Sequence, residues 1–417
     1  MLTKEKIIID NADLIVSING NSPFKRINYK ELENGKTTRV VVENSIISFA
    51  GVEDSNKNYE EFKKIDAKNM IVAPGSYDIH THGFSGRRIK CASLQDIKEI
   101  LKAYLKTGVV GISPTIETSS HEEIKKTLEN LVKFSYKDIG ARLLPIHLEA
   151  NYFSQEKKGA QNSRYFKKPK INELRDFMKL AEGYIGIVTL APELENAYEF
   201  IREITKRGIV ASFGHSNASY EQALKSIDAG VMLWNHIFNC MGFSYREFSA
   251  TWAGISDKRV FMEIILDSNH IFPALAELAI REKGIGKTIL ISDAMYVAGT
   301  RLKEFDWDKR KGFIKNNVYG GEMAVLQDGT LCGSILTIDE AIRNLSKMGF
   351  KLEEVLQTVS INPMILLNQE TKRGSISQGK FADLTLYNYN LGVEKVFVEG
   401  SLVYECNKSA DAGNIAA

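Results

Sequence analysis

Residues 209–236 read Ile209-Val210-Ala211-Ser212-Phe213-Gly214-His215, then Ser219-Tyr220-Glu221-Gln222, and finally Gly230-Val231-Met232-Leu233-Trp234-Asn235-His236. The first apolar run is short and rich in β-branched and aromatic residues, which predicts a buried strand over 209–213. Ser219 and Gln222 have the spacing of a capping box and open a helix, and Gly230 closes it. A second apolar run follows at once over 231–235. Strand, helix and strand in so short a span form a βα repeat with parallel strands. Both strands are followed by a histidine, His215 and His236.

Working outward, the same alternation recurs. Short apolar runs at Tyr77–His80, Val109–Ser113, Leu143–Glu149, Ile185–Leu190, Met262–Asp267 and Thr288–Ser292 bring the predicted strands to eight. Ser93 and Asp96 cap a helix carrying Ile97, Ile100, Leu101 and Leu105 that stops at Gly108; Thr337 and Glu340 cap another that stops at Gly349. Eight alternations predict an α/β fold of the closed (β/α)8 TIM-barrel type. A doubly wound open sheet fits less well, because neither GxGxxG nor GxxxxGK[ST] occurs. Both chain ends have a different texture. Strands are predicted at Ile7–Ile9, Leu14–Val16, Thr38–Val42, Ile46–Gly51 and Met70–Val72, and again at Ala382–Tyr387 and Val393–Glu399. The expected organisation is a small β domain from residues 1–72 with 373–417, and a barrel over 73–372.

Composition removes other classes. The 417 residues are 44% apolar and 25% charged, as in an average soluble globular protein. Lys+Arg 54 against Asp+Glu 52 leaves a net charge of +2, too little for a nucleic-acid partner. No apolar run reaches about 18 residues, so no membrane-spanning helix is expected. The N-terminus reads as neither signal nor transit peptide, and Cys91, Cys240, Cys332 and Cys406 show no CxxC spacing. A cytoplasmic location is the expectation.

Five of the seven histidines fall at or just beyond the C-terminal end of a predicted strand, which is the catalytic face of such a barrel. His80 and His82 alternate at period two, so both imidazoles leave the strand on one side. His147-Leu148-Glu149 repeats that geometry with a carboxylate, His215 and His236 follow strands five and six, and Asp293 follows strand eight. If the barrel closes, Glu149, His215 and His236 converge on a divalent cation, Zn or Fe by ligand type, and Asp293 stands ready to move a proton. His82 and His147 serve equally well as hydrogen-bonded braces. His121, beside Glu122 and Glu123, is expected at the surface. The five positive charges within Lys157–Lys168 suit a solvated loop or attraction of a phosphorylated substrate, and Arg246 suits a bidentate phosphate contact.

These stretches resemble the N-acetylglucosamine-6-phosphate deacetylases of the amidohydrolase superfamily. The likeness rests on Ala73-Pro74-Gly75-Ser76-Tyr77-Asp78-Ile79-His80-Thr81-His82-Gly83, on His147-Leu148-Glu149 with Gly159-Ala160-Gln161-Asn162, and on Leu190-Ala191-Pro192-Glu193. It continues through Gly214-His215-Ser216, His236-Ile237-Phe238-Asn239-Cys240-Met241, Asp267-Ser268-Asn269-His270, Ser292-Asp293-Ala294-Met295 and Gly333-Ser334. The ordered set is far more specific than any one member. The resemblance implies that the terminal β domain is a sandwich and that the chain is a homodimer. It also implies one or two metal ions per subunit, held by Glu149, His215 and His236 with His80 and His82 available for the second. Asp293 would act as general base and acid, and Gln161, Asn239, Cys240, Arg246 and His270 would bind the phosphorylated N-acetyl amino sugar, Arg246 from across the dimer interface. Acetate and glucosamine-6-phosphate would be the products, with the galactosamine epimer or another amidohydrolase substrate as alternatives and a non-catalytic barrel less so. Ala150-Asn151 replaces the family's Gly-Pro, Ser292 its usual Thr, Cys240 a small Ala, and Gln161 the His of some members; none of these removes a metal ligand.

Overall fold

The computed structural model describes residues 6–134, 140–149, 151–317 and 321–406. Among them, eight parallel strands form the barrel: β1 (Ser76–Thr81), β2 (Val109–Glu117), β3 (Ile146–Glu149), β4 (Ile185–Leu190), β5 (Val210–Phe213), β6 (Val231–Trp234), β7 (Phe261–Ile264) and β8 (Thr288–Leu290). Each pairs in parallel with the next, β1 with β2 and so on to β7 with β8. Closure comes just beyond β8, where Asp293 N donates to His80 O at 2.9 Å and His82 N donates to Ala294 O at 2.8 Å. The expected (β/α)8 fold is therefore present.

The strands are apolar because both faces are covered. All nine residues of β2 are buried, as a parallel strand between barrel interior and outer helices requires. Trp234 of β6 stacks on Phe213 of β5 with centroids 4.3 Å apart. Helix Ala250–Ser256 lies so close that a Cβ on Gly254 would sit 2.5 Å from Trp234 Cδ1. The predicted capping boxes form: Asp96 N donates to Ser93 Oγ at 3.1 Å, and Gln222 N to Ser219 Oγ at 3.2 Å. Leu143–Glu149 is not one strand. Arg142–Leu143 pair with β2 and β3 starts at Ile146, with Pro145, which has no N–H to donate, between them.

Both chain ends build two further sheets. One runs, in spatial order, Ser401–Glu405, Val393–Val398, Leu384–Asn388, Met70–Pro74, Asp13–Ser17 and Phe24–Ile27; the other runs Ile46–Asp54, Lys36–Glu43, Lys6–Asp10 and Lys63–Asp66. Ile7, Leu14, Val40, Ile47, Val72, Leu384 and Phe397 pack in one core between them, making a sandwich. Residues 407–417 of the expected small domain lie outside the described residues. An antiparallel sheet absent from the sequence reading, Glu304–Trp307, Arg310–Asn316 and Glu322–Leu326, is inserted after β8 and has its own small core around Trp307, Leu326 and Cys332.

Candidate active site at the barrel mouth

Parallel strands deliver side chains to one rim. Glu149 is the last residue of β3, and its Oε1 lies 3.1 Å from His236 Nε2, 3.3 Å from His215 Nε2 and 3.5 Å from His80 Nε2. Its Oε2 lies 3.4 Å from His82 Nε2, and Asp293 Oδ1 lies 3.2 Å from the same nitrogen. The structure thus brings together all six residues singled out for metal binding and proton transfer. His215 and Asp293 each follow their strand with left-handed backbone, φ +48° in both. Such conformations cost energy and are held only where the surroundings impose them.

Neighbours fix the orientation of each donor. His215 Nδ1 faces Lys157 O at 3.0 Å and His80 Nδ1 faces Glu263 Oε2 at 3.1 Å, so in each ring the remote Nε2 is left toward Glu149. Asn235 Nδ2 donates to Glu149 Oε1 at 2.7 Å. Gln161 Nε2 donates to Glu149 Oε2 at 2.7 Å while its Oε1 accepts from Thr118 N at 3.0 Å. Gln161 therefore braces the carboxylate as well as lining the cavity.

Electrostatics suit a cation. Burial pushes Asp293 up, but His80 and His82 outweigh it and hold the carboxyl down to about 2. Burial works against charge on His80 as well, yet Glu149, Glu263 and Asp293 raise it to about 10. Glu149 is held well below the usual carboxylate range against its own burial, chiefly by His80 with His215 and His236. Imidazolium protons thus compensate the buried carboxylates. A divalent cation is the alternative compensation, since it needs the same rings neutral and the same carboxylates ionised. The donors fit one: single atoms from Glu149, His215 and His236 all lie within 4.8 Å of one another, as do those from His80, His82 and Asp293, and His80 Nε2 has no hydrogen-bond partner among the described residues.

Above this cluster opens a cavity of about 410 Å³, lined among others by His82, Glu149, His215, Asp293, Gln161, Asn239, Cys240, His270 and Trp307. That volume lies within the range of small-molecule sites. The His270 side chain is 6% exposed, with Nδ1 2.8 Å from Asp267 Oδ2. Asn239 Nδ2 donates to Ile237 O at 3.0 Å and to His236 O at 3.2 Å. Arg246 is not brought to the cavity; it is exposed, and its guanidinium stands 5.2 Å over the ring of Tyr245. His147 is a brace, its Nε2 2.7 Å from Thr189 Oγ1, and His121 lies at the surface against Glu173. Ala150, one of the noted departures, lies outside the described residues, whereas Asn151 is buried and donates to Ser119 O at 3.0 Å.

Sequence reasoning missed Glu117, Glu263, Asn235 and Trp307. Glu117 ends β2 as Glu149 ends β3, but the strand prediction stopped at Ser113 because Pro114 follows. Glu263 sits inside β7 beside His80, where the apolar pattern hides it. Trp307 belongs to the inserted sheet, with its ring centroid 5.9 Å from that of His82.

Residues 71–403 match the amidohydrolase family. The chain belongs to that family. This amidohydrolase is 30% identical over 357 residues to the N-acetylglucosamine-6-phosphate deacetylase of Bos taurus, covering 82% of this chain and 86% of the relative. It is 29% identical over 340 residues to the N-acetylgalactosamine-6-phosphate deacetylase of Escherichia coli O157:H7, covering 80% and 87% respectively. Among solved structures it resembles the N-acetylglucosamine-6-phosphate deacetylase of Pasteurella multocida, with TM-score 0.83, 25% identity and coverage of 95% of this chain and 99% of that one.

Proposed function

We propose that this amidohydrolase removes the acetyl group from N-acetylglucosamine-6-phosphate, giving glucosamine-6-phosphate and acetate. The observation that carries the reading is the convergence of Glu149, His215, His236 and Asp293 beneath a cavity of sugar-phosphate size. Relatives named for this activity support it along most of the chain.

Glu149, His215 and His236 are the residues that would hold the main divalent ion, Zn or Fe, with His80 and His82 able to hold a second. Such an ion supplies Lewis acidity and a water whose pKa falls towards about 7. The chain's own groups do the rest. Water adds to the acetyl carbonyl, Asp293 Oδ1 accepts its proton, and the same carboxyl returns a proton to the sugar nitrogen as the C–N bond breaks. Asn239, Cys240 and His270 face the sugar phosphate, and Gln161 keeps Glu149 in place. Arg246 serves a neighbouring subunit: Tyr245 and Phe248 beside it are 80% and 79% exposed, an apolar surface suited to covering by a second copy. We infer a cytoplasmic homodimer.

Purified protein assayed for acetate release on N-acetylglucosamine-6-phosphate, on its galactosamine epimer and on unphosphorylated N-acetylglucosamine, alongside metal analysis, tests the reading. The glucosamine phosphate should give the highest kcat/KM. The named relative active on the galactosamine epimer makes that sugar the second reading. No acetate from any of the three, with metal bound, would reject both.

A further inference from the structure

Glu117 is the buried carboxylate to which nothing above gives a role. It ends β2 in direct register with Glu149 of β3, and in a parallel pair such residues face the same side, so both carboxylates enter one layer of the barrel rim. Its Oε2 lies 3.7 Å from His82 Nδ1; both atoms are buried, and neither has a hydrogen-bond partner among the described residues. The opposite nitrogen of the same ring, Nε2, faces Asp293 at 3.2 Å and Glu149 at 3.4 Å. His82 is thus clasped between a carboxylate behind it and two in front.

A buried carboxylate oxygen without a donor is costly, and so is a buried N–H without an acceptor. A few tenths of an ångström of closure would satisfy both, with the proton on Nδ1 and the lone pair of Nε2 directed at the cluster. The reverse tautomer would bring an N–H to the cluster and leave Glu117 facing a bare nitrogen. The end of β2 is also tied to the cluster by the neighbouring residue, since Thr118 N donates to the Gln161 side chain that holds Glu149.

We propose that Glu117 is a positioning residue that fixes His82 in the tautomer able to ligate a second divalent cation together with His80 and Asp293. This rests on the metal-centre reading above. A carboxylate behind a ligating imidazole is worth roughly tenfold to a hundredfold in metal affinity.

Metal-free wild type, Glu117→Leu, Glu117→Gln and His215→Ala are titrated with Co²⁺, and stoichiometry, affinity and the visible spectrum are read together with the thermal midpoint. The wild type should take up two ions per chain. Glu117→Leu should keep the first ion and weaken the second about tenfold to a hundredfold, with a modestly lowered midpoint because His82 Nδ1 is left without an acceptor. Glu117→Gln, which retains an acceptor for Nδ1, should fall between the two. Equal affinity for the second ion in wild type and Glu117→Leu overturns the role of Glu117, and so does a wild type that binds one ion only, lost in His215→Ala, although the metal-centre reading then stands. A wild type that binds no ion overturns both.

Discussion

Gln161 Nε2 donates to Glu149 Oε2 over 2.7 Å, so the loop after β3 returns to hold the carboxylate on which four imidazoles converge. Gln161→Leu removes that donor and strips Thr118 N of its acceptor. Metal affinity should fall about tenfold to a hundredfold, and stability should drop by about 1–3 kcal/mol for the polar groups left unsatisfied. Metal titration and denaturant unfolding measure the two effects separately. Unchanged metal affinity would mean that Gln161 does not position Glu149.

Asp293→Asn keeps the size of the side chain and removes its ability to take a proton. Turnover should fall by roughly 10²–10⁴-fold, the ordinary worth of a positioned general base, while the ion held by Glu149, His215 and His236 stays bound. Acetate release and metal content on one sample decide this. A rate within threefold of wild type would take Asp293 out of the proton-transfer step.

Much of this site was legible before any coordinates because β-strand ends and histidines follow separate rules that agree. Apolar periodicity placed eight strands, and His80, His215, His236 and Asp293 then lay at one rim with no further assumption. What stayed hidden was polar or irregular. Phe24–Ile27, Lys63–Asp66 and Ser401–Glu405 lie at sheet edges, where exposed faces leave little apolar pattern. The inserted sheet carrying Trp307 holds Lys309, Arg310 and Lys311 at its first turn and resembles a loop. Glu117 was lost to one proline, although Pro114 sits inside β2 as a buried residue at a register shift, where a missing N–H is tolerated. Arg246 was legible as a phosphate-seeking group but not as an exposed one, because its distance from the cavity depends on how the loop after β6 folds.

The buried pair His270 and Asp267 gives a pH dependence with a definite sign. Burial opposes charge on His270, but Asp267 outweighs it and raises the imidazole above its ordinary value, and His270 in turn helps hold Asp267 below its own. Stability from the raised histidine is fully present below about 6.5, the unfolded value, and is lost as pH climbs through the folded value; the aspartate's share is lost as pH falls below about 4. Cationic His270 lines the cavity, so KM for the phosphorylated sugar should rise on the alkaline side, where the phosphate is already dianionic. KM for the unphosphorylated sugar should stay flat over the same range. Parallel profiles for the two sugars would remove His270 from phosphate binding.

Gly159 has φ +54°, and a Cβ there would meet Cys240 Sγ at 2.5 Å and His215 Cε1 at 3.5 Å. Gly159→Ala should therefore displace the thiol and strain a backbone held at positive φ beside His215, lowering kcat/KM more than tenfold. Cys240→Ala placed in the same chain should recover part of that loss by vacating the space, with a coupling energy on the order of 0.5–3 kcal/mol. A double-mutant cycle on kcat/KM reads it; strictly additive effects would show that the steric contact is not the cause.

The main-chain bond from Asp293 to the carbonyl of His80 is also where the last stave of the cylinder meets the first. The proton-transfer residue therefore sits in the seam that closes the barrel, beside the second closing bond from His82 N to Ala294 O. Loosening of that seam would move the Asp293 carboxylate relative to His80 and His82. Turnover should then fade at a lower temperature than the helical circular-dichroism signal.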